Sequence, residues 1–386
     1  MFYLDHNATT RMCPQAIDAM SLVQKQSFGN ASSVHGEGEA ARSCLNAARA
    51  AIVGMIGCES RELYFTSGGT ESNNWAAYKA LGRHTVYGAM VSQVEHKSML
   101  NAVEAYTYPA KRSHYLPVDG RGVLDMDYLE GALKEAEGAC FVSVMLANNE
   151  TGVIQDVQSI SRLVRKYRGD SVIHTDACQA FGKIPVNVDD LEVDLMSLSA
   201  HKLGGPKGIG ALYVREGLDI APMIHGGHQE HDRRAGTENV AGAVGFYVAA
   251  RARLDRMNDW RTTVSAHCAG LLEILLHDLP YGLWVNGGDA LCIPNTLNVG
   301  FFGVDASALT IILSNLGIAV STGSACEAGR PEGSHVLKAM GQSEEVSRSA
   351  IRFSFSDDLQ EGAIPIIGQR IIDSVKALQG VEQISL

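Results

Sequence analysis

Near the middle of the chain stands the run Ser197-Leu198-Ser199-Ala200-His201-Lys202-Leu203-Gly204-Gly205-Pro206-Lys207-Gly208. Its first lysine, Lys202, follows hydroxyl and imidazole side chains and precedes a glycine-rich turn. Upstream, the β-branched run Val172-Ile173-His174-Thr175-Asp176 predicts a short strand that ends on a carboxylate. A lysine that can form a Schiff base and an aspartate that can hold a protonated pyridine nitrogen are the pair that pyridoxal phosphate requires. A solvent-facing lysine in a turn is the alternative for Lys202 alone.

Short apolar runs alternate with helical patterns on both sides of this segment. The predicted strands are 62–66, 85–94, 141–146, 172–176, 194–197 and 211–214, and the predicted helices include 40–56 and 72–81. Such alternation predicts βαβ units and a mostly parallel sheet with helices on both faces. Ligands of these folds bind beyond the carboxyl ends of the strands. The segments that fall there are 67–70, 95–96, 148–149, 176 and 201–202.

The pattern changes at residue 260. A long helix is followed by predicted strands at 296–301, 319–321 and 351–355, with helices at 306–316 and at the end of the chain. We therefore predict an α/β protein with two domains. The large domain covers residues 15–259, and residues 1–14 and 260–386 form a smaller α/β domain.

Composition and charge restrict the class of protein. The 386 residues are 46% hydrophobic and include 40 glycines, which suits a globular α/β fold. A net charge of −11 argues against direct contact with nucleic acid. No apolar run approaches the roughly 20 residues that span a membrane. The N-terminus lacks a signal-peptide pattern, and the eight cysteines form no C-x-x-C pair, so we predict a cytoplasmic protein with reduced thiols.

A phosphate could bind where the segment Thr66–Asn73 joins a predicted strand to a helix. Gly69 allows close backbone approach, and the helix N-terminus with Thr70 offers N–H groups and a positive dipole end. An ordinary strand–turn–helix cap is equally consistent with this segment alone, and the spacing of a P-loop is absent.

Three polar residues near strand ends could contact the cofactor ring. His96 could stack on a pyridine ring and exchange protons, although a buried structural histidine is the alternative. Asp176 could hold the ring nitrogen, or it could cap a helix. Gln179, in the same turn, could donate a hydrogen bond to the ring oxygen.

The last third of the chain contains two further candidates. Cys326 stands in the small, glycine-rich segment 321–334, which predicts an exposed loop and makes it the cysteine best placed to react. Arg352, in the strand pattern 351–355, offers a guanidinium that fits a carboxylate, with a surface arginine as the alternative. The His225–His231 segment contains possible metal ligands without a catalytic H-E-x-x-H pattern, so we predict no metal site.

Together these motifs resemble the NifS/IscS-type cysteine desulfurases of the class V aminotransferase family. The similarity extends from Tyr3 to Phe355. The matching segments are 3–10, 28–30, 66–73, 95–97, 147–152, 174–182, 199–210, 226–230, 233–239 and 323–326.

The resemblance implies a pyridoxal phosphate-dependent aminotransferase type I fold and a role for each matching residue. Lys202 would carry pyridoxal 5′-phosphate as a Schiff base, with Asp176 at the ring nitrogen, Gln179 at the ring oxygen and His96 stacked on the ring. Gly69, Thr70, Ser199 and His201 would hold the phosphate, with Thr237 reaching it from the second subunit of a homodimer. Asn148 would lie beside both cofactor and substrate, and Asn30, Asn148 and Arg352 would orient the substrate carboxylate.

The resemblance also implies the reaction. Lys202 and His96 would move protons, and the Cys326 thiolate would attack the sulfur of L-cysteine, leaving L-alanine and an enzyme persulfide. The persulfide would pass to an acceptor protein in iron–sulfur cluster assembly or in another sulfur-transfer pathway, such as tRNA or DNA thiolation. A selenocysteine lyase or another class V pyridoxal phosphate enzyme is the alternative. A catalytically silent scaffold that binds a sulfur carrier is a third reading.

Overall fold

The computed structural model describes residues 1–82, 86–107, 112–322 and 333–384, with side chains described as far as residue 380. Strands β1 to β12 are, in chain order, Phe2–Tyr3, Leu63–Thr66, Val86–Ser92, Arg112–Leu116, Ala139–Ser143, Val172–Asp176, Leu195–Ser199, Gly210–Val214, Leu283–Asn286, Thr296–Phe301, Ile318–Ala319 and Ala350–Ser354. Helices α1 to α14 are Pro14–Gln26, Gly36–Ile56, Gly69–Leu81, Lys97–Thr107, Met126–Glu135, Val157–Tyr167, Val188–Leu191, Gln229–Asp232, Val240–Asp255, Met257–Asp278, Ala306–Asn315, His335–Ala339, Glu344–Arg348 and Ala363–Ile384.

The main sheet has seven strands in the order β2-β8-β7-β6-β5-β3-β4. Strands β3 to β7 pair in parallel, whereas β8 runs antiparallel to both β2 and β7. Every residue of β6 and β7 is buried, as expected for strands covered by helices on both faces. The prediction of a mostly parallel sheet is therefore confirmed.

Strand β8 is antiparallel because of the connection that precedes it. Residues 200–209 link β7 to β8, and a parallel crossover needs about a dozen residues or more. The segment instead forms a 3₁₀ turn at Ala200–Lys202 and returns along the neighbouring edge. This tight return holds Lys202 at the carboxyl end of β7.

A second, smaller sheet lies in the C-terminal third, where β9, β10 and β12 pair antiparallel in the order β12-β10-β9. Strand β1, at the N-terminus, pairs in parallel with β11. The hydrophobic core around this part combines Leu4 with buried residues from Trp260 to Val375, separate from the cores that flank the main sheet. The two-domain division remains a prediction that these separate cores support.

No helix in the described part of the chain is long and apolar enough to cross a membrane.

Candidate active site

A cavity of about 320 Å³ opens beyond the carboxyl ends of the parallel strands. It brings together most of the site residues predicted from the sequence. Those that line it are Gly69, Thr70, His96, Asp176, Gln179, Ser199, His201, Lys202 and Arg352. Residues far apart in the chain therefore meet at one place, which an ordinary surface lysine or a helix cap would not require.

Lys202 enters the cavity from the turn after β7. Its Nζ donates hydrogen bonds to the backbone oxygens of Asn7 and Ala8, at 2.6 and 2.8 Å. The N-terminal segment thus contacts the turn after β7 and orients the lysine. Sequence reasoning missed this contact because nothing local to residues 7 and 8 indicates a partner almost two hundred positions away.

Asp176 is the last residue of β6, and its carboxylate is buried. Oδ2 accepts a hydrogen bond from Asn73 Nδ2 at 2.7 Å, and Oδ1 accepts one from the Cys178 backbone N–H at 2.9 Å. These two donors fix the carboxylate in the cavity wall. Its position suits a role opposite a cationic ring nitrogen.

His96 lies at the start of α4 and lines the cavity. The Ser98 backbone N–H donates to its Nδ1 at 3.1 Å, and Ser98 Oγ lies 2.8 Å from the same atom. Because Nδ1 accepts the backbone hydrogen bond, the proton of the neutral ring resides on Nε2. Burial lowers the pKa of His96, and the nearby Asp176 carboxylate partly opposes this shift. The ring is therefore a neutral imidazole that can accept and release protons.

The first turn of α3 and the end of β7 form an anion-binding corner. Gly69 and Thr70 present the helix N-terminus to the cavity. Ser199 Oγ is buried and has no hydrogen-bond partner among the residues that the structure describes. A buried hydroxyl without a partner is costly, so a ligand oxygen at this corner would satisfy it. His201 Nδ1 lies 3.1 Å from Thr9 Oγ1, and burial lowers the pKa of His201 to about 4.

Arg352 reaches the cavity from β12 of the smaller sheet, with only 2% of its side chain exposed. One guanidinium nitrogen lies 2.6 Å from Asp5 Oδ1, and another donates to the Asn149 backbone oxygen at 3.0 Å. Asp5 is a residue that sequence reasoning missed. It gives the buried guanidinium an anionic partner and holds its plane in place.

His335 also lines the cavity, although no sequence pattern singled it out, and it contacts Glu95, which precedes His96 in the chain. His335 Nε2 lies 3.0 Å from the backbone oxygen of Glu95, and because a carbonyl only accepts, the ring proton of neutral His335 is on Nε2. The Glu95 carboxyl group is fully buried, and this desolvation raises its pKa well above the usual range. A buried carboxyl group with a raised pKa and a second histidine thus stand near His96.

Three predicted residues lie outside the cavity lining. Asn148 is buried in the loop after β5, where its Nδ2 donates to the Val94 backbone oxygen at 2.9 Å and its Oδ1 accepts the backbone N–H groups of residues 150 and 151. Its neighbour Asn149 lines the cavity instead. Asn30 and Thr237 are exposed in the single chain, and Thr237 lines a separate pocket with Thr66 and Arg234. Cys326 lies outside the described residues.

Fold and cavity together define an α/β enzyme whose residues fit pyridoxal phosphate. The lysine, the buried aspartate and the anion-binding corner are all present around one space. Within the described ranges, no group of three or more histidine, cysteine, aspartate or glutamate residues could hold a metal ion.

Comparison with known proteins identifies the family. The chain belongs to the class V aminotransferases, whose family model matches residues 2–362. It is 43% identical over 361 residues to a curated cysteine desulfurase of Gluconacetobacter diazotrophicus, covering 92% of this chain and 88% of that protein.

Two solved structures are also similar. A NifS-like protein superposes with a TM-score of 0.91 at 33% identity, covering 97% of this chain and 99% of that one. A structure described as SspA in complex with cysteine gives a TM-score of 0.79 at 31% identity, covering 92% of this chain and 99% of that one. The chain is thus a member of a pyridoxal phosphate-dependent family that includes the cysteine desulfurases.

Proposed function

We propose that this enzyme is a cysteine desulfurase that converts L-cysteine to L-alanine and retains the sulfur as a persulfide on Cys326. One observation carries the proposal: Lys202, Asp176, His96 and Arg352 line a single cavity. That set combines a cofactor-binding lysine, a ring-nitrogen partner, a proton carrier and a carboxylate-binding cation. The 43% identical cysteine desulfurase supports the reaction, and the cysteine complex of SspA supports the substrate.

The cofactor would be held by residues from several strand ends. Lys202 would bind it covalently, Asp176 would face its ring nitrogen, and Gln179 its ring oxygen. The corner formed by the first turn of α3, Ser199 and His201 would hold its phosphate. When bound, pyridoxal phosphate supplies an electron sink that stabilises negative charge at the carbon beside the substrate amino group.

The chain's own residues would position the substrate and move its protons. The Arg352 guanidinium would bind the cysteine carboxylate, because its planar donors match two carboxylate oxygens. Lys202 Nζ would remove the proton from the α-carbon. His96, whose imidazole burial keeps neutral, would act as a second proton carrier and return a proton to the substrate.

Sulfur transfer would occur at Cys326. Its thiolate would attack the substrate sulfur, forming an S–S bond while the bond from that sulfur to carbon breaks. The electron pair of the broken bond stays with the carbon, which takes up the proton that the Cys326 thiol released and becomes the methyl group of alanine. The products therefore balance cysteine and one enzyme thiol against alanine and one enzyme persulfide, without an external oxidant.

The persulfide would then pass to an acceptor protein, in iron–sulfur cluster assembly or another sulfur-transfer pathway, in the cytoplasm. We also propose a homodimer in which Thr237 of one subunit completes the phosphate site of the other. The exposure of Thr237 and Asn30 in the single chain supports this arrangement, since both are expected at a ligand.

Measuring alanine and persulfide formation from L-cysteine tests the proposal directly. The wild type should release alanine in equal amount to the sulfide recovered with a thiol, and Cys326→Ala should lose both. Cys292→Ala is the matched control, because burial raises the pKa of that thiol to about 11 and makes it unreactive. Full activity in Cys326→Ala would disprove the role of Cys326. Activity with selenocysteine alone would favour a selenocysteine lyase.

Borohydride reduction tests the cofactor lysine separately. The reduced wild type should retain a pyridoxal label on the peptide that contains Lys202, and Lys202→Ala should retain none, by peptide mass spectrometry. Lys207→Ala, which changes an exposed lysine of the same loop, should keep the label. A label that persists in Lys202→Ala would mean that another lysine binds the cofactor.

A further inference from the structure

A second lysine lies behind the wall of the cavity. Lys183 is only 2% exposed, and its Nζ donates hydrogen bonds to Asn7 Oδ1 at 2.8 Å and to Gln179 Oε1 at 2.7 Å. Among the described residues, Lys183 forms no ion pair within 4.0 Å. A fully buried lysine held only by amide oxygens is unusual, because burial of the charged form is costly.

Lys183 and the Asn7 backbone oxygen together orient the side-chain amide of Gln179. The Asn7 backbone oxygen can only accept, so the Gln179 atom that faces it is the amide nitrogen, and Gln179 Oε1 accepts a hydrogen bond from Lys183 Nζ. Gln179 Nε2 donates to the Asn7 backbone oxygen at 2.8 Å. The side-chain amide of Asn7 is also held at both ends. Its Nδ2 donates to Thr296 Oγ1 at 2.8 Å, and its Oδ1 accepts from Lys183 Nζ.

The same hydrogen bonds reach Lys202. The Asn7 backbone oxygen accepts both the Gln179 amide at 2.8 Å and Lys202 Nζ at 2.6 Å. Lys183, Asn7, Gln179 and Lys202 thus form one connected network, and three of its members, all except Lys183, line the cavity with Asp176. Without Lys183, Gln179 Oε1 would lose its donor, and the contact of Nε2 with the Asn7 backbone oxygen would be the remaining one that holds the amide in this orientation.

We propose that Lys183 is a positioning residue that keeps the Gln179 amide as a hydrogen-bond donor toward the cofactor ring oxygen, and so adjusts the protonation of the cofactor bound to Lys202. This inference rests on the proposed function, because it assumes that Gln179 faces the cofactor. A donor stabilises the ionised ring oxygen. A reversed amide would present its own oxygen there and would disfavour ionisation.

The direction of the expected effect follows from this contact. Removing the donor makes deprotonation of the bound cofactor harder, so its pKa rises. Loss of a nearby positive charge acts in the same direction, although burial and the neighbouring Lys202, Arg253 and Arg352 already lower the pKa of Lys183 well below its usual range. The other titratable group near Lys183 is His6. Those around the cavity include His96, Glu150, Asp176, Cys178, His201 and His335. All of them are unchanged when only Lys183 is replaced.

The experiment is a pH titration of the visible absorbance of the resting holoenzyme, for the wild type and for Lys183→Met. Methionine is an unbranched side chain only one atom shorter than lysine, and it removes the donor. We expect the apparent pKa of the absorbance change to rise by about one unit, the typical size of a shift from one lost hydrogen bond or charge. A role in packing alone would leave the titration unchanged.

Gln179→Leu provides an independent test that needs no change at Lys183. Gln179→Leu alone should raise the apparent pKa, as Lys183→Met does. Adding Lys183→Met to Gln179→Leu should shift the pKa by less than about 0.3 units further, because the effects of coupled residues are not additive. A wild-type titration in either single variant would overturn the inference. An undiminished shift in the double variant would overturn it as well, because Lys183 would then act without Gln179. Absence of any visible band in the wild type would instead contradict the proposed function.

Discussion

Arg352 illustrates how one residue acquires its properties from its surroundings. In the strand pattern it was equally consistent with a surface arginine, yet it is almost fully buried and contacts Asp5, which is 18% exposed. Removing a guanidinium from water is costly unless its donors are satisfied. The Asp5 carboxylate and the Asn149 backbone oxygen supply part of that compensation from two other segments of the chain.

Replacing Arg352 with lysine should therefore weaken substrate binding more than cofactor binding. Lysine keeps the positive charge but loses the planar pair of donors that fits a carboxylate. We expect KM for L-cysteine to rise about tenfold or more, which corresponds to about 1.4 kcal/mol, while cofactor content stays at the wild-type level. Steady-state kinetics and absorbance measure the two quantities.

Arg348→Lys is the matched control, because Arg348 is an exposed arginine paired with Glu344 on α13. The same chemical change there should leave KM unaltered. Equal changes of KM in both variants, or none in Arg352→Lys, would exclude Arg352 as the carboxylate-binding residue.

Helix α3 shows how an element depends on a close contact at its first residue. An added methyl group at Gly69 would lie 2.6 Å from Cys178 Sγ, too close for two non-bonded atoms. Cys178 is itself buried beside Asp176. The small residue lets the N-terminus of α3 approach the ends of β6 and β7, at the corner where we propose that the phosphate binds.

Gly69→Ala should accordingly reduce cofactor affinity, because either α3 or Cys178 must move. We expect a decrease of about tenfold, as for about 1.4 kcal/mol of strain, measured by equilibrium dialysis of pyridoxal phosphate. The double variant Gly69→Ala with Cys178→Ala removes the opposing sulfur and should recover most of the affinity. An equal loss in both variants would show that the methyl group does not act through Cys178.

At the scale of the whole molecule, the main sheet buries a histidine at its centre. His174 is 1% exposed, and its two ring nitrogens lie 2.9 Å from Ser143 Oγ and 3.0 Å from Ser197 Oγ. These contacts link β5, β6 and β7. Burial lowers the pKa of His174 from 6.5 to about 4, so the ring stays neutral in the folded protein.

This shift predicts how stability changes with pH. Below pH 6.5 the unfolded chain binds a proton at His174, whereas the folded chain does not until about pH 4. The free energy of unfolding should therefore fall as the pH decreases through this range, with His174 contributing a slope of about 1.4 kcal/mol per pH unit. Above pH 6.5 this contribution is complete and constant.

His174→Gln removes the titrating group while keeping polar atoms for the two serines. Denaturant unfolding of the holoenzyme at fixed protein and cofactor concentration, between pH 4.5 and 8, should give a shallower decline for the variant. His6 and His201, whose pKa values burial also lowers to about 4, should maintain part of the slope. Parallel curves for the two proteins would contradict the contribution of His174.

Local sequence patterns determined much of this protein. The β-branched and apolar runs at 172–176 and 296–301 coincide with β6 and β10, because strand formation there depends on residue types within a few positions. The polar residues placed after predicted strands, among them Asp176, Ser199 and Lys202, line the cavity. Parallel strands bring their carboxyl ends to one edge whatever the details of packing.

Tertiary structure alone decided which distant groups complete the site. The backbone oxygens of Asn7 and Ala8 contact Lys202, and Asn149 rather than Asn148 lines the cavity, because loop closure determines which atoms come within hydrogen-bond distance. The antiparallel course of β8 and the pairing of Lys183 with Gln179 are further examples. Hydrogen bonds act over about 3 Å in space and are indifferent to separation along the chain. Periodicity in the sequence therefore indicates the elements, while their packing selects the contacts between them.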